Sequence, residues 1–368
     1  MSDHGRAVLF HGDRRLELAE FPVVDPDPDG LTVKVTRANV CGSDVHAWLG
    51  HFDMTRMGAT LPTVLGHEAT GTVAALGRNV STDAMGAPLA VGDRIVFAYY
   101  QACGSCRSCV RGRPNACVRQ RMAMFGSAAE PPHFVGVFAD YFSLGPRATV
   151  LKAPETVPDA VLAGANCALA QVVSGFDEVP VGQGDVVVIQ GAGGLGLYAT
   201  AVARDRGAGA VIVVDGNAER LELARRFGAT DVVDMTEVPE ARDRTRAVRR
   251  LTGGWGADVV VEVAGTPHAV PEGLTMVGPH GAYLIMGAVG STEAVPIAPS
   301  RIILGNLTVR GVGFYRPMSL VRAVDFLVRT VDRLPYDALA GEAFPLEKVG
   351  DALEAARTQT LARPAIVV

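Results

Sequence analysis

Apolar and polar residues alternate through the first part of this chain. Leu31-Thr-Val-Lys-Val-Thr36 switches at every position, and the β pattern continues through the apolar runs of Gly71-Thr-Val-Ala-Ala-Leu76 and Gly92-Asp-Arg-Ile-Val-Phe97. A period of two marks half-buried strands, and Asp25-Pro-Asp-Pro-Asp-Gly30 reads as a turn. The stretch up to about residue 150 is therefore predicted to be mostly β with short irregular pieces, including a strand within Gly136–Phe142. Between Ala160 and Val179 the chain becomes Ala-rich and helical in character. From Val186 strand and helix patterns alternate. Apolar runs at 186–190, 210–214, 231–233, 258–263, 282–286 and 308–312 predict strands, with helices near 195–206, 217–227, 240–252 and 267–278. Six strands with intervening helices predict an α/β doubly wound parallel sheet. Beyond 314 come a helix near 319–332, another near 347–357, and a short strand, Pro364-Ala-Ile-Val-Val368, which needs partners and is expected to find them in the N-terminal β region.

At 368 residues the chain is too long for one ordinary core, so two domains are expected. The net charge is −5 and no block of Lys or Arg stands out, which argues against nucleic acid or an anionic membrane as the main partner. The start has no apolar signal region, and no uninterrupted apolar run reaches membrane-spanning length, so a cytoplasmic location is expected.

Chemistry enters at Gly191-Ala-Gly193-Gly194-Leu195-Gly196, which follows the strand 186–190 and opens a helix. In strand–turn–helix context G-x-G-x-x-G is a dinucleotide fingerprint. Gly191 makes the tight turn, Gly193 lets the backbone approach a pyrophosphate, and Gly196 allows close helix–strand packing. Free N–H groups at the helix start face the phosphates. The next apolar run ends in Asp215, whose carboxylate can accept from the adenosine ribose hydroxyls and would repel a 2′-phosphate. NAD(H) is favoured over NADP(H), with Arg220 as the reservation, because a nearby Arg accommodates that phosphate.

The six cysteines fall into two groups. Cys103, Cys106, Cys109 and Cys117 crowd a polar loop of Gly, Ser, Arg and Pro. Four thiolates at this spacing close a tetrahedral shell around zinc and leave no position for water, which is a structural site. An iron–sulfur cluster is the rival, and disulfides suit a chain without an export signal poorly. The other two are Cys41, in Cys41-Gly-Ser43-Asp44-Val-His46, and Cys167; His67 and Glu68 stand in a Gly-His-Glu triplet. Cys and His are zinc ligands, and a carboxylate can orient a ligating His.

Together these motifs resemble the zinc-containing medium-chain dehydrogenase/reductase family, the alcohol and polyol dehydrogenase group, over nearly the whole chain. The resemblance implies a GroES-like catalytic domain, 1–160 with 315–368, and a Rossmann NAD-binding domain, 161–314. It implies two Zn2+ per chain: a catalytic zinc on Cys41, His67 and Cys167, and the four-cysteine structural zinc. A one-residue slip would point at Asn166 instead of Cys167, but a neutral amide is a poor zinc ligand. Asp44 would orient His67, Glu68 would stand behind the metal, Ser43 would take the substrate proton, and His46 would pass it on. Arg363 falls where some members place a pyrophosphate-binding Arg, whereas Gly42 replaces the basic residue that other members use. The implied activity is hydride transfer between an alcohol, secondary or polyol-like, and NAD. A homodimer or homotetramer is also implied, with the 282–286 and 307–312 runs as candidates for the sheet edge that joins two copies. Trp48, His51, Phe52, Met54, Arg56 and Met57 are candidates for the substrate pocket or for plain packing, and Gly287–Gly290 for the nicotinamide. Two other readings are a zinc-independent quinone or enoyl reductase-like enzyme, whose branch lacks both cysteine groups, and a protein that binds NAD and zinc without turnover.

Overall fold

The computed structural model describes residues 4–51, 53–287, 293–358 and 363–368. The chain forms two compact units, one running to Cys167 and resuming at Arg316–Val368, the other Ala168–Tyr315.

The first unit is β-rich, as the alternating pattern predicts. Its larger sheet runs in the order Val150–Lys152, Arg94–Phe97, Glu68–Leu76, Leu31–Asn39, Ala365–Val367, Ala343–Pro345, with Tyr141–Leu144 also paired to Leu31–Asn39. The C-terminal strand does find its partner here: Ile366 lies opposite Ala38 in antiparallel register. A three-stranded sheet, Leu16–Pro22, His4–Phe10 and Thr63–Val64, completes the framework. Val33, Ala38, Val64, Ile95, Phe97 and Val137 are fully buried in the shared core. Such burial, at about 25 cal/mol per Å² of apolar surface, is what fixes the strands whose ends carry the polar groups described below. One helix, Gly42–Trp48, was not predicted, because its seven residues are too few for a helical period to emerge from the β texture around them. The strand expected in Gly136–Phe142 lies later, at Tyr141–Leu144. A side chain at Gly136 would meet the Val64 carbonyl, so close backbone approach replaces pairing there.

The second unit is a six-stranded sheet in the order Asp231–Asp234, Ala210–Asp215, Val186–Gln190, Ala257–Glu262, Val277–Ile285, Thr308–Gly311. Every neighbouring pair is parallel. The order reverses between the first and fourth strands, which is the switch point where α/β sheets bind ligands. The strand expected at 282–286 starts earlier, at Val277, and takes the end of the expected 267–278 helix, which stops at Met276. This strand is interior, so only Thr308–Gly311 of the two candidate runs is a sheet edge. An unpredicted helix, Pro299–Gly305, begins with a helix-starting proline and ends on Asn306 in the left-handed region.

The helical stretch predicted over 160–179 is three pieces: Asp159–Leu162, a π-helical turn Ala165–Leu169, and Ala170–Glu178. Taken together, 159–178 is long and apolar enough by composition to cross a membrane, but 83% of it is buried within the protein.

Candidate active site

Cys41 leaves the end of the strand Leu31–Asn39 and caps the helix Gly42–Trp48. Asp44, fully buried in the first turn, accepts the Cys41 N–H at 2.9 Å with one carboxylate oxygen. Its other oxygen faces His67 Nδ1 at 3.1 Å. Gly66 turns the chain at φ +90°, where a side chain would collide with Phe138, and so delivers His67 and Glu68 to the head of the next strand. On the π-helical turn, Asn166 Nδ2 donates to the His67 carbonyl at 3.0 Å, and Cys167 Sγ stands 3.3 Å from His67 Nε2. Inserted π turns recur at functional sites because they re-aim one side chain without ending the helix.

The Sγ atoms of Cys41 and Cys167, a His67 ring nitrogen and a Glu68 carboxylate oxygen all lie within 4.8 Å of one another. Two sulfurs, an imidazole and a carboxylate are a zinc donor set. Glu68 Oε1 is buried without a hydrogen-bond partner, while Oε2 pairs with Arg363. Arg363, expected at a pyrophosphate, is thus engaged by Glu68 inside the first unit, and burial lowers its pKa to about 10. The Cys41 thiol is held well below its ordinary value, chiefly by the hydrogen bond from Cys167. That same contact, with burial, pushes the Cys167 thiol up. Burial works against a charged His67, yet Asp44 and Cys41 outweigh it and raise the ring to about 10.

Ser43 is exposed beside Cys41, and His46 stands three residues on, half-buried on the same helical face. Gly50, at φ +72°, folds the chain back so that His51 Nδ1 meets His46 Nδ1 at 2.8 Å. Burial first, then His51, lowers the pKa of His46. His51 is therefore a partner of His46 rather than an isolated pocket wall. Trp48 is a packing residue: it is buried, donates its indole N–H to the Arg14 carbonyl, and carries the Arg14 guanidinium 4.3 Å above its ring. Met54 is buried, and Arg56 is a solvated partner of Asp53. Phe52 lies outside the described residues, as do 288–290 of the Gly287–Gly290 segment. Sequence reasoning missed Tyr99, whose ring centroid is 4.9 Å from that of His67. The available signal was the pair Tyr99-Tyr100 directly ahead of the cysteine loop; Tyr99 sits on the bend before the short strand Tyr100–Gln101.

The second cysteine group is a self-contained lobe. One sulfur from each of Cys103, Cys106, Cys109 and Cys117 lies within 4.8 Å of the others, and no disulfide joins any of the six cysteines. The Cys106 N–H donates to Cys103 Sγ and the Cys103 N–H to Cys117 Sγ, each at 3.3 Å. Backbone N–H groups aimed at sulfur favour thiolates, and the Cys103 thiol is lowered to about 5, first by the Ser105 backbone.

In the second unit Gly191 turns at φ +105°, and a side chain there would sit 2.8 Å from Ala264. At Gly196 it would come 1.9 Å from the Gly191 carbonyl. At Gly193 it would meet nothing of the protein. The space left open over Gly193 is the room a pyrophosphate needs at the start of the helix Gly194–Asp205, whose first residues are Gly194 and Leu195. Asp215 accepts the Ala192 N–H at 2.6 Å and the Asn217 N–H at 2.9 Å, which fixes the acid against the glycine loop. Arg220 lies half-buried in the first turn of the following helix, its N–H capped by Asn217.

Comparison with known proteins agrees with this arrangement. Residues 27–155 match the alcohol dehydrogenase GroES-like domain, and 194–329 match the zinc-binding dehydrogenase domain. The chain is 35% identical over 366 residues to 5-exo-hydroxycamphor dehydrogenase of Pseudomonas putida, covering 99% of this chain and 98% of that one. An alcohol dehydrogenase structure from Thermotoga maritima superposes with a TM-score of 0.92 at 31% identity, over 99% of each chain. A zinc-binding dehydrogenase from Sinorhizobium meliloti, bound to NADP, does so with a TM-score of 0.83 at 26% identity, again over 99% of each chain. The chain belongs to the zinc-dependent medium-chain dehydrogenase/reductase family and is an oxidoreductase of its alcohol and polyol dehydrogenase group.

Proposed function

We propose that Cys41, His67 and Cys167 hold a catalytic zinc, that the lobe cysteines hold a structural zinc, and that the enzyme oxidises a secondary or polyol-like alcohol with NAD in the cytoplasm. The observation that carries this is the gathering of Cys41, His67, Glu68 and Cys167 within 4.8 Å, with Asp44 behind His67. Zinc held by Cys41, His67 and Cys167 would supply Lewis-acid polarisation of an alcohol oxygen, and a nicotinamide cofactor held at the glycine loop would supply a hydride acceptor. The protein's own groups do the rest. Asp44 keeps the His67 Nδ1 proton toward itself, so Nε2, protonated in the metal-free ring by the raised pKa, is the nitrogen that would give up its proton to hold zinc. Cys41 is poised as a thiolate. Ser43 takes the alcohol proton, and His46, neutral because burial lowers its pKa, accepts it in turn. Glu68, tied to Arg363, offers its unpartnered oxygen to the metal side of the cluster. Tyr99 flanks the substrate oxygen's approach to His67.

NAD is preferred because Asp215 stands at the end of its strand next to the glycine loop, where a 2′-phosphate would meet its charge. Gly191, Gly193, Gly194, Leu195 and Gly196 cradle the pyrophosphate. Two copies pair along Thr308–Gly311, a strand exposed along its whole length and flanked by Ile303 and Leu304, which are 70% and 82% exposed.

The test is cofactor reduction by the purified protein with NAD+ or NADP+ and a panel of primary, secondary, polyol, aromatic and phosphonate-bearing alcohols. Turnover of one class with NAD+, abolished by a chelator, is the expected result. Turnover that survives removal of all metal overturns the zinc mechanism, and faster turnover with NADP+ overturns the cofactor preference.

A further inference from the structure

Glu262 is a fully buried acid that the reaction described above does not use. It ends the strand Ala257–Glu262, in register with Gln190, the residue just before the glycine loop. Its side chain holds two separate segments at this rim of the sheet. Oε1 accepts the Gly265 N–H at 2.8 Å, from the loop that follows its own strand. Oε2 and the Glu262 backbone carbonyl share the Gly287 N–H, each at 3.1 Å, from the residue that follows the neighbouring strand Val277–Ile285 by two positions. The fit is tight: a side chain on Gly287 would come 2.8 Å from Glu262 Oε1 and 2.8 Å from the Gly265 nitrogen. The first of these loops also packs on the fingerprint, since Ala264 is what a side chain at Gly191 would strike.

A doubly wound sheet binds the two nucleotides of a dinucleotide over its two halves. Asp215 marks the half of Val186–Gln190, Ala210–Asp215 and Asp231–Asp234 as the adenosine side. Gly265 and Gly287 then lie on the other half, under the nicotinamide nucleotide. We propose that Glu262 is a positioning residue for the nicotinamide half of the cofactor. Its carboxylate is the common acceptor that fixes Gly265 and Gly287 side by side in the arrangement this half requires. The proposal rests on the dinucleotide site assigned to this unit.

The experiment is equilibrium binding of NADH and of ADP to wild type, Glu262→Gln and Gly287→Ala, with circular dichroism as a check of folding. An amide at 262 can accept one of the two N–H groups but opposes the other with its own donors. Alanine at 287 keeps the carboxylate and pushes the loop off it. Both variants are expected to bind NADH about tenfold or more weakly while ADP binding stays within about twofold of wild type. Glu262→Asp, which keeps both acceptor oxygens, is expected to recover part of the loss. Equal weakening of NADH and ADP, or no weakening of either, overturns the proposal. If the wild type binds NADPH and 2′-phospho-ADP instead, the preference for NAD fails, and the same comparison is made with that pair.

Discussion

The two cysteine clusters both gather metal-ligating side chains and are built in opposite ways. The lobe takes its four sulfurs from fifteen consecutive positions, 103–117, and its own backbone N–H groups turn toward them. The other cluster joins Cys41, His67 and Cys167, which are 126 positions apart at their extremes, and each arrives on a different element. The lobe donors are all thiols, a set that closes a shell; the dispersed set mixes sulfur, imidazole and a carboxylate whose free oxygen is unpartnered. A local cluster depends on little beyond itself. A dispersed one is correct only when the strands, the Gly66 turn and the π turn are all correct, and that dependence lets the fold aim an open coordination position at a substrate.

Breaking each cluster in turn should separate the two roles. Cys41→Ser is expected to lower kcat/KM by about 10³-fold or more, since several kcal/mol of charge stabilisation go with the metal, at about 1.4 kcal/mol per tenfold. Elemental analysis should fall from two zinc ions per chain to one, with the thermal midpoint nearly unchanged. Cys106→Ser should also leave one zinc, but here the midpoint should drop sharply, because a structural zinc contributes to folding directly. Activity per folded molecule should persist. If Cys106→Ser silences the enzyme with its melting intact, or Cys41→Ser unfolds it, the division of roles is wrong.

Asp44→Asn is a finer cut at the dispersed site. The amide cannot offer both Cys41 N–H and His67 Nδ1 a charged acceptor, so His67 loses its fixed tautomer. A loss of about 10- to 100-fold in activity or in zinc affinity is expected, as for other groups that orient a metal-bound histidine. Titration of the metal-free variant with zinc, beside an activity assay, checks it. An undiminished zinc affinity and rate would show that backbone geometry alone orients the ring.

The contrast between the clusters also explains what the sequence made legible. The lobe and the glycine fingerprint were readable from spacing and local context, because each is a short stretch of chain: Cys103–Cys117 meet one another, and Gly196 meets the Gly191 carbonyl, within a few turns. The interior strands of the parallel sheet were readable because buried strands are continuous apolar runs. Cys41, His67 and Cys167 became a set only through family resemblance, since nothing in their spacing says that they meet. Tyr99, Asn166 and Glu262 stayed hidden for the same reason. Tyr99 and Asn166 meet His67, and Glu262 takes the N–H groups of Gly265 and Gly287; a single aromatic, amide or acid has no period to betray such contacts. The helix Gly42–Trp48 was lost to its shortness, and the strand Val277–Ile285 begins early because Val277 already takes extended backbone, at φ −64° and ψ 134°.

The smallest expected effect lies at the edge of the dispersed site, where His46 and His51 face each other through their Nδ1 atoms. Burial and then the His51 ring lower the pKa of His46, so the ring is neutral near pH 7 and able to accept a proton. In alcohol oxidation only that neutral form takes part, and the rate falls as pH drops through the His46 pKa. Replacing His51 with Gln removes the second of the two lowering causes and leaves burial. The His46 pKa must then rise, and the acid limb of the kcat profile must move to higher pH. Above both pKa values each protein is neutral at His46, so the two rates should converge in alkaline buffer. A pH–kcat profile of the two proteins decides it. A limb that stays in place would mean that the paired rings do not sense each other's charge. A His46→Gln profile that keeps the same limb would mean that His46 does not carry the proton at all, and the relay would then have to run from Ser43 to solvent by another path.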